Sequence, residues 1–188
     1  ASNDILVDGV RDPGVSIGEN FNTEQVEILR GPASSFAGRG TTGGAITVVT
    51  TQAKDLNFYE AEGTLGFSND QKRIVIDANQ VITPKVDVRL NGVFQDSDIA
   101  GRDFTTDNRR GIAGAVDVRP TENLTVNADY SYTRVFGLPD FGVPYNPLAR
   151  RPVTDGDVPS NTYYGIVNRD FSEAKQAVGT LDARWQAS

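Results

Sequence analysis

Apolar and polar side chains alternate with a period of two through most of the chain after residue 59. In the segment VDVRLNGVFQ, one set of alternate positions is made up of Val86, Val88, Leu90, Gly92 and Phe94. The positions between them are mostly polar, namely Asp87, Arg89, Asn91 and Gln95. Successive side chains of a strand point to opposite faces of its sheet, so the pattern predicts β-strands with one apolar and one polar face.

Six segments carry this alternation. The predicted strands are Tyr59–Phe67, Arg73–Ile82, Val86–Gln95, Arg110–Arg119, Leu124–Thr133 and Ala177–Gln186. Most approach the roughly 9–11 residues that a tilted strand needs to cross a bilayer. The second and fourth connections are the tight turns TPK and RPTEN, whereas the third and fifth are long. Outer-membrane barrels combine short periplasmic turns with longer outer loops, so we expect the first, third and fifth connections on the outer side.

Two kinds of sheet have one apolar and one polar face. A soluble antiparallel sheet buries the apolar face. A membrane barrel turns it toward lipid and lines its lumen with the polar face. Strand length and the alternating connections favour the barrel. Tyr130, Tyr132 and Trp185 suit interfacial aromatic girdles, although aromatics are common in any strand. We interpret the following charged positions as solvated or plug-facing wall: Asp87, Arg89, Asp129, Asp182 and Arg184.

The composition excludes several kinds of chemistry. The 188 residues include no Cys and no His, which removes disulfides, thiolate and Ser–His catalysis, and Cys- or His-based metal sites. The formal net charge of −7 argues against a nucleic-acid partner, because proteins that bind nucleic acid are usually strongly basic. No signal peptide or apolar run of ~20 residues is found, and we expect the chain to start inside a fold.

A glycine-rich stretch, VEILRGPASSFAGRGTTGGAITVVT, raises the question of a nucleotide site. Gly38, Gly40 and Gly43 fit the spacing G-x-G-x-x-G, and Glu62 follows about 20 residues later. That fingerprint needs a strand before the glycines and a helix after them. Here Pro32 is suited to the start of a short helix, and a β-branched strand follows the glycines. Because the order is reversed, we interpret the glycines as turn positions.

The same stretch belongs to a longer pattern. DGVRD at residues 8–12 is followed by EQVEILRGP at residues 24–32, by the glycines, and by AITVVT leading to Lys54. This pattern resembles the plug domain of TonB-dependent outer-membrane receptors. The motif positions are Gly31, Pro32, Gly38, Gly40, Gly43 and Gly44. Three positions depart from the residues usual in the family: Phe36, Ala37 and Thr47.

The resemblance implies a mainly β chain. A small mixed α/β plug part would be followed by antiparallel strands of a transmembrane β-barrel, with about 22 strands when complete. Residues 1–54 would form the C-terminal part of the plug domain, and residues 55–188 the first six strands of the outer-membrane β-barrel. The chain would then be a fragment, with the signal peptide and the energy-coupling segment outside it.

The resemblance also implies active import of a ferric siderophore, without an enzymatic step. No catalytic residue, resident metal or cofactor is expected, since iron travels within the cargo. The expected partners are outer-membrane lipid, the ferric siderophore and the inner-membrane energy-transducing TonB complex, which would dock through a segment absent here; nucleic acid is not expected. The alternatives are another cargo such as cobalamin, a sugar or a different metal chelate, a passive porin-like barrel, a surface adhesin, and a soluble all-β binding module.

Two arginines of the plug part are candidate functional residues. Arg30 follows an apolar strand, and a guanidinium can pair bidentately with a carboxylate. The resemblance assigns Arg30 to a plug–barrel lock with glutamates of later strands; the alternative is a surface ion pair worth little. Arg11 starts a turn that the resemblance places near the ligand vestibule. It is a candidate ligand contact or a solvated turn charge.

The long fifth connection supplies the other candidate ligand contacts. They are Phe141, Tyr145, Arg150 and Arg151, with Tyr163 and Tyr164 as further aromatics. Aromatic faces and guanidinium groups together suit an anionic, aromatic ligand through stacking and charge. The segment GLPDFGVPY also resembles a loop in receptors for ferric catecholate-type siderophores. The alternative is a structured outer loop that folds over the barrel.

Overall fold

The computed structural model describes residues 5–11, 19–31, 44–154 and 158–187. The strands of this part of the chain are β1 (Ile5–Val7), β2 (Val10–Arg11), β3 (Thr23–Arg30), β4 (Gly44–Thr50), β5 (Phe58–Gly66), β6 (Gln71–Thr83), β7 (Val86–Asp96), β8 (Asn108–Thr121), β9 (Leu124–Gly137), β10 (Tyr145–Asn146), β11 (Arg151–Pro152) and β12 (Ser172–Trp185). Among the described residues, no helix has the length and apolar character to span a bilayer. The predicted short helix lies outside these residues, as do Pro32, Gly38, Gly40 and Gly43.

The first four strands form a small mixed sheet in the order β2-β1-β4-β3. β1 runs parallel to β4, while β2 and β3 are antiparallel to their neighbours. Asp8 and Gly9 make the turn between β1 and β2 with φ angles of 48° and 81°, as the Asp-Gly dipeptide predicts. The Asp8 carboxylate accepts hydrogen bonds from the backbone N–H and the hydroxyl of Thr50, both at 2.8 Å. These bonds fasten the turn to the end of β4.

Gly44 shows why the motif needs a glycine at the start of β4. Its φ is +136°, and a Cβ at this position would lie 2.3 Å from the Leu29 carbonyl oxygen. That oxygen belongs to the backbone of the paired strand β3, so it has little freedom to move away. Gly31, directly after β3, has a φ of +96°. Both motif glycines hold backbone conformations that residues with a Cβ rarely adopt.

The other long strands form a six-stranded sheet in the order β12-β9-β8-β7-β6-β5. All its neighbours pair antiparallel, so the chain runs up and down through the sheet. The six predicted strands are confirmed, although several extend further than predicted. β9 continues to Gly137 because it still pairs there with Ser172 of β12, although the clear alternation ends near Thr133. Backbone pairing thus lengthens strands beyond the side-chain pattern.

The connections of this sheet alternate in length as predicted. Two-residue turns, Pro84–Lys85 and Glu122–Asn123, join β6 to β7 and β8 to β9. The connections at the opposite end of the strands span residues 67–70, 97–107 and 138–171. The last of these contains the small hairpin of β10 and β11. The strands are therefore joined by tight turns at one end and by loops at the other.

The polarity of the six-stranded sheet is the reverse of that in a soluble protein. Its polar face is covered, and Asn79, Asp87 and Asn91 are among its most completely buried side chains. The apolar face is open, with Ile112 exposed to 53% and Leu181 to 74%. A broad exposed apolar face is stable against lipid and not against water. The expectation of a polar inner wall and an apolar outer face is confirmed, and the soluble-module alternative is not supported.

Candidate functional site

The small sheet and the segments beside it rest on the polar wall, and Glu19 makes the first contact. Its carboxylate lies 2.8 Å from Arg73 Nη2 of β6 and 3.4 Å from Arg109 Nη1 of β8, and its side chain is only 2% exposed. Burial by itself raises the pKa of Glu19. The hydrogen bond and charge of Arg73 outweigh burial, so the pKa lies below its ordinary value. Glu19 is therefore a buried anion held by wall arginines.

Phe21 makes an apolar contact between the segment before β3 and the wall. Its ring packs on Val93 and Ala113, with Val75 beside them. A Cβ at Gly111 would lie 2.7 Å from Phe21 Cε1. Small wall residues thus leave the space that the ring occupies, in an otherwise polar interface.

Glu24, at the start of β3, makes the second ionic contact. Its carboxylate lies 2.5 Å from Lys54 Nζ and 2.7 Å from Arg89 Nη1 of β7. Arg89 also donates to both oxygens of Asp77, at 2.9 and 2.6 Å, and to the Gln52 carbonyl oxygen at 3.0 Å. Burial by itself raises the pKa of Glu24. The hydrogen bonds from Lys54 and Arg89 have the larger combined effect, so the pKa lies below its ordinary value. Arg89 therefore lies on the covered face of the wall and contacts the small sheet.

Wall amides hold the segment that leaves the small sheet. The Thr51 hydroxyl donates to Asn91 Oδ1 at 2.6 Å. Asn79 accepts from the Lys54 backbone N–H at 2.9 Å, and its amide donates to the carbonyl oxygens of Lys54 at 2.7 Å and Leu56 at 2.5 Å. Both amides are buried. Hydrogen bonds to the wall therefore hold the chain where it passes from the small sheet to the wall.

Cavities separate these contacts. One of about 490 Å³ lies between the Asp8 turn and the wall, where Gln52, Asp129, Asp182 and Arg184 line it. A second, of about 400 Å³, is lined by Glu19, Thr50, Ser131, Thr133 and Gln176 among others. The predicted wall positions Asp129, Asp182 and Arg184 thus face the small sheet. The interface consists of discrete contacts, most of them polar, with gaps between them.

The carboxylates and the arginines of this interface lie on opposite sides. The predicted lock residue, Arg30, ends β3 and is exposed. The ionic contacts place carboxylates, Glu19 and Glu24, on the side of the small sheet and arginines on the wall. Sequence alternation could have identified arginines at inward positions of the strands. It carries no information on which distant carboxylate would reach them.

At the end of the sheet that carries the long loops, Arg102 joins the third connection to the fifth. It lies 2.8 Å from Asp140 Oδ1 and donates to the carbonyl oxygens of Gly142 at 3.0 Å and Ser160 at 2.9 Å. Asn161 donates to both carboxylate oxygens of Asp103. The Gly142 backbone N–H, and then Arg102, lower the pKa of Asp140. The two long loops therefore form one connected layer.

The structure brings some of the predicted ligand contacts together. Tyr145, Arg150 and Arg151 belong to the β10–β11 hairpin, where Tyr145 pairs with Pro152, and Tyr145 is 60% exposed. Phe141 is also 60% exposed, and its ring centroid lies 6.2 Å from that of Tyr163. Arg11 ends β2 in the small sheet and is exposed. Phe141 and the hairpin residues are exposed within the same connection, and Arg11 belongs to a different sheet.

The six-stranded sheet has its apolar face exposed and holds a separate small sheet on its polar face. This arrangement defines a segment of a plugged β-barrel. No protein-family model matches the chain. It is 31% identical over 188 residues to the probable TonB-dependent receptor BfrD of Bordetella pertussis, covering 99% of this chain and 25% of that protein. It is 34% identical over 189 residues to the catecholate siderophore receptor Fiu of Escherichia coli K12, covering 96% and 25%.

Solved structures agree with these relatives. The siderophore receptor PiuA of Acinetobacter baumannii superposes with a TM-score of 0.84 at 26% identity, covering 99% of this chain and 27% of that one. The open form of the ferric-catecholate import receptor Fiu superposes with a TM-score of 0.82 at 28% identity, covering 96% and 28%. The chain belongs to the family of TonB-dependent receptors, which are outer-membrane proteins. It spans about a quarter of the length of the curated relatives that it matches.

Proposed function

We propose that this chain is the segment where plug meets barrel wall in an energy-coupled outer-membrane receptor that imports a ferric siderophore. Residues 1–54 belong to the plug domain and residues 55–188 to the first barrel strands. The observation that carries the proposal is that a separate small sheet covers the polar wall. Glu19 and Glu24 form ion pairs with wall arginines at this contact. A passive porin has an open aqueous lumen, so an occupied wall favours a gated receptor.

The plug–wall contacts suit a plug that must move. Ion pairs and hydrogen bonds can be exchanged for bonds to water, whereas a dry apolar interface would lose its burial energy as it opened. Phe21 is the apolar exception and seats the plug in one position. In this proposal the TonB complex pulls on a plug segment outside this chain. The wall contacts of Glu19 and Glu24 then open and the ligand passes inward. No covalent bond changes, so no catalytic residue is assigned.

The ligand would bind on the outer side. Phe141, Tyr145, Arg150 and Arg151 supply aromatic faces and positive charge for an anionic, aromatic iron chelate. Both relatives named above as siderophore receptors, Fiu and PiuA, support this class of cargo. We assign Arg11 to the plug side of the vestibule. Arg30 would contribute to a lock with carboxylates of strands beyond this segment.

Uptake of labelled iron tests the proposal. A strain that carries the full-length receptor as its one siderophore receptor is supplied with ferric catecholate, hydroxamate or hydroxycarboxylate complexes. We expect uptake of the catecholate complex, abolished when the inner membrane is de-energised. Uptake that persists without energy would indicate a passive barrel. Failure with every siderophore, together with uptake of cobalamin or another chelate, would assign a different cargo to the same receptor class.

A further inference from the structure

Three cations lie side by side on the lipid-facing side of the wall. Arg110 of β8 is directly opposite Arg134 of β9, which is directly opposite Lys175 of β12. Phe94 of β7 continues this row on the other side of Arg110. Neighbouring strands are about 4.8 Å apart, so the three charges fall within about 10 Å across the wall. We call Arg110, Arg134 and Lys175 the basic row.

The basic row marks the outer boundary of the apolar band. On β12, the outward positions between Lys175 and Trp185 are uncharged, namely Ala177, Gly179, Leu181 and Ala183. Ten residues span about 33 Å along a strand, or about 25 Å along the bilayer normal at a tilt of about 40°. That is the height of the apolar band of outer-membrane barrels. The row lies toward the loops, and Trp185 lies at the tight-turn end.

Aromatic rings hold the two guanidinium groups of the row. Arg110 lies 5.5 Å from the Phe94 ring centroid and 5.4 Å from that of Phe136, and Arg134 lies 4.5 Å from the Phe136 ring. Glu173 is 2.6 Å from Arg134 and 3.0 Å from Lys175. One carboxylate for three cations leaves an excess of positive charge. Guanidinium groups ordered by stacking are preorganised to bind phosphate oxygens bidentately.

An apolar groove continues from the basic row toward the centre of the membrane. A cavity of about 400 Å³ is lined by Phe94, Arg110, Gly111, Ile112, Tyr132 and Arg134 among others. A second cavity of about 400 Å³ adjoins it and reaches Ile74, Ile76 and Leu90. Gly92, whose missing side chain would meet Ile76, helps to form the depression. The groove has cations at its outer end and aliphatic side chains along its length.

We propose that the basic row and this groove form a binding site for a lipid of the outer leaflet whose phosphate headgroup carries net negative charge. The phosphate accepts hydrogen bonds from Arg110 and Arg134, and one acyl chain lies along Ile112 and Leu90. Basic groups at a membrane boundary attract anionic headgroups, which explains cations on a lipid-facing surface. The site is on the outer face of the wall, away from the plug contacts and from the outer-loop surface assigned to the siderophore. It depends on the outer-membrane location and not on the identity of the cargo.

Lipid retention by the purified full-length receptor tests this site. The receptor is delipidated in non-ionic detergent and titrated with dioleoyl phosphatidic acid or dioleoyl phosphatidylcholine, and bound lipid is counted by native mass spectrometry. We expect the Arg110→Gln/Arg134→Gln variant to bind phosphatidic acid at least 10-fold more weakly than the unchanged receptor. Lys85→Gln, which removes one charge at the tight-turn edge, should bind normally. Arg110→Lys/Arg134→Lys should retain part of the affinity.

Three results would overturn the proposal. The first is equal binding of phosphatidic acid by the double Gln variant, and the second is equal retention of phosphatidylcholine. The third is full displacement of the lipid by equimolar inorganic phosphate, since the groove would then contribute nothing. If the double variant does not fold, judged by circular dichroism, the single Arg110→Gln variant is used with the same criteria.

Discussion

Glu19, in the segment before β3, and Arg73 of the six-stranded wall are 54 residues apart in sequence, and their charged groups approach to 2.8 Å in a buried setting. Removing one partner of a buried ion pair leaves the other charge without compensation. We expect Glu19→Gln to destabilise the seated plug by about 3 kcal/mol. Thermal unfolding of the full-length receptor and channel conductance in planar bilayers would report this as earlier unfolding and more frequent opening. Glu122→Gln, in an exposed tight turn, serves as the matched control and should change neither.

The same carboxylates predict how the seated plug responds to acid. The pKa values of Glu19 and Glu24 are lowered from the ordinary value of 4.5. Their contribution to stability is therefore fully present above about pH 4.5 and is lost as the pH falls through the lowered folded-state pKa values. We expect the melting temperature of the unchanged receptor to fall toward that of Glu19→Gln/Glu24→Gln over this acidic window. A difference between the two proteins that stays constant down to the acid limit would contradict the assignment.

The contact of Phe21 with Gly111 predicts a strong effect from one methyl group. A Cβ at Gly111 would lie 2.7 Å from the ring, so Gly111→Ala forces Phe21 out of place and should cost about 1–3 kcal/mol. Gly63→Ala is the matched control, because a Cβ there meets nothing within 4 Å. Phe21→Leu should relieve part of the Gly111→Ala penalty in a double-mutant cycle of thermal stability. Additive effects in that cycle would show that the two residues are not coupled.

The contacts of Arg102 with residues of the fifth connection predict that the two long outer loops open together. Arg102→Gln loses the ion pair with Asp140 and weakens bonds to two carbonyl groups, at a cost of about 1 kcal/mol or more. We expect about a five-fold faster limited proteolysis within residues 138–171, since the opened population rises accordingly. Arg169→Gln removes an exposed arginine of the same loop and should leave the rate near normal. Equal proteolysis rates in the two variants would show that Arg102 does not hold the two loops together.

The sequence predicted the wall well because its signal is local. Alternation along each strand identified six strands, and turn chemistry predicted the tight turns around Pro84 and Asn123. The strand ends were less accurate. Pairing with a neighbour extends β9 to Gly137 and starts β12 at Ser172, where the alternation no longer marks them.

The plug–wall contacts could not be read in the same way. The ion pairs join residues 54, 65 and 90 positions apart. Alternation within one strand carries no information on partners so distant, so Glu19 and Glu24 were not singled out.

The sequence alone determined the period, and hence the strands and the two faces of the wall, because side-chain direction follows from backbone geometry within each strand. Only the tertiary structure decided which segments cover the polar face and which carboxylate meets which arginine. Burial and pairing depend on segments that meet in space after the chain has folded back many times, and no local pattern records that meeting.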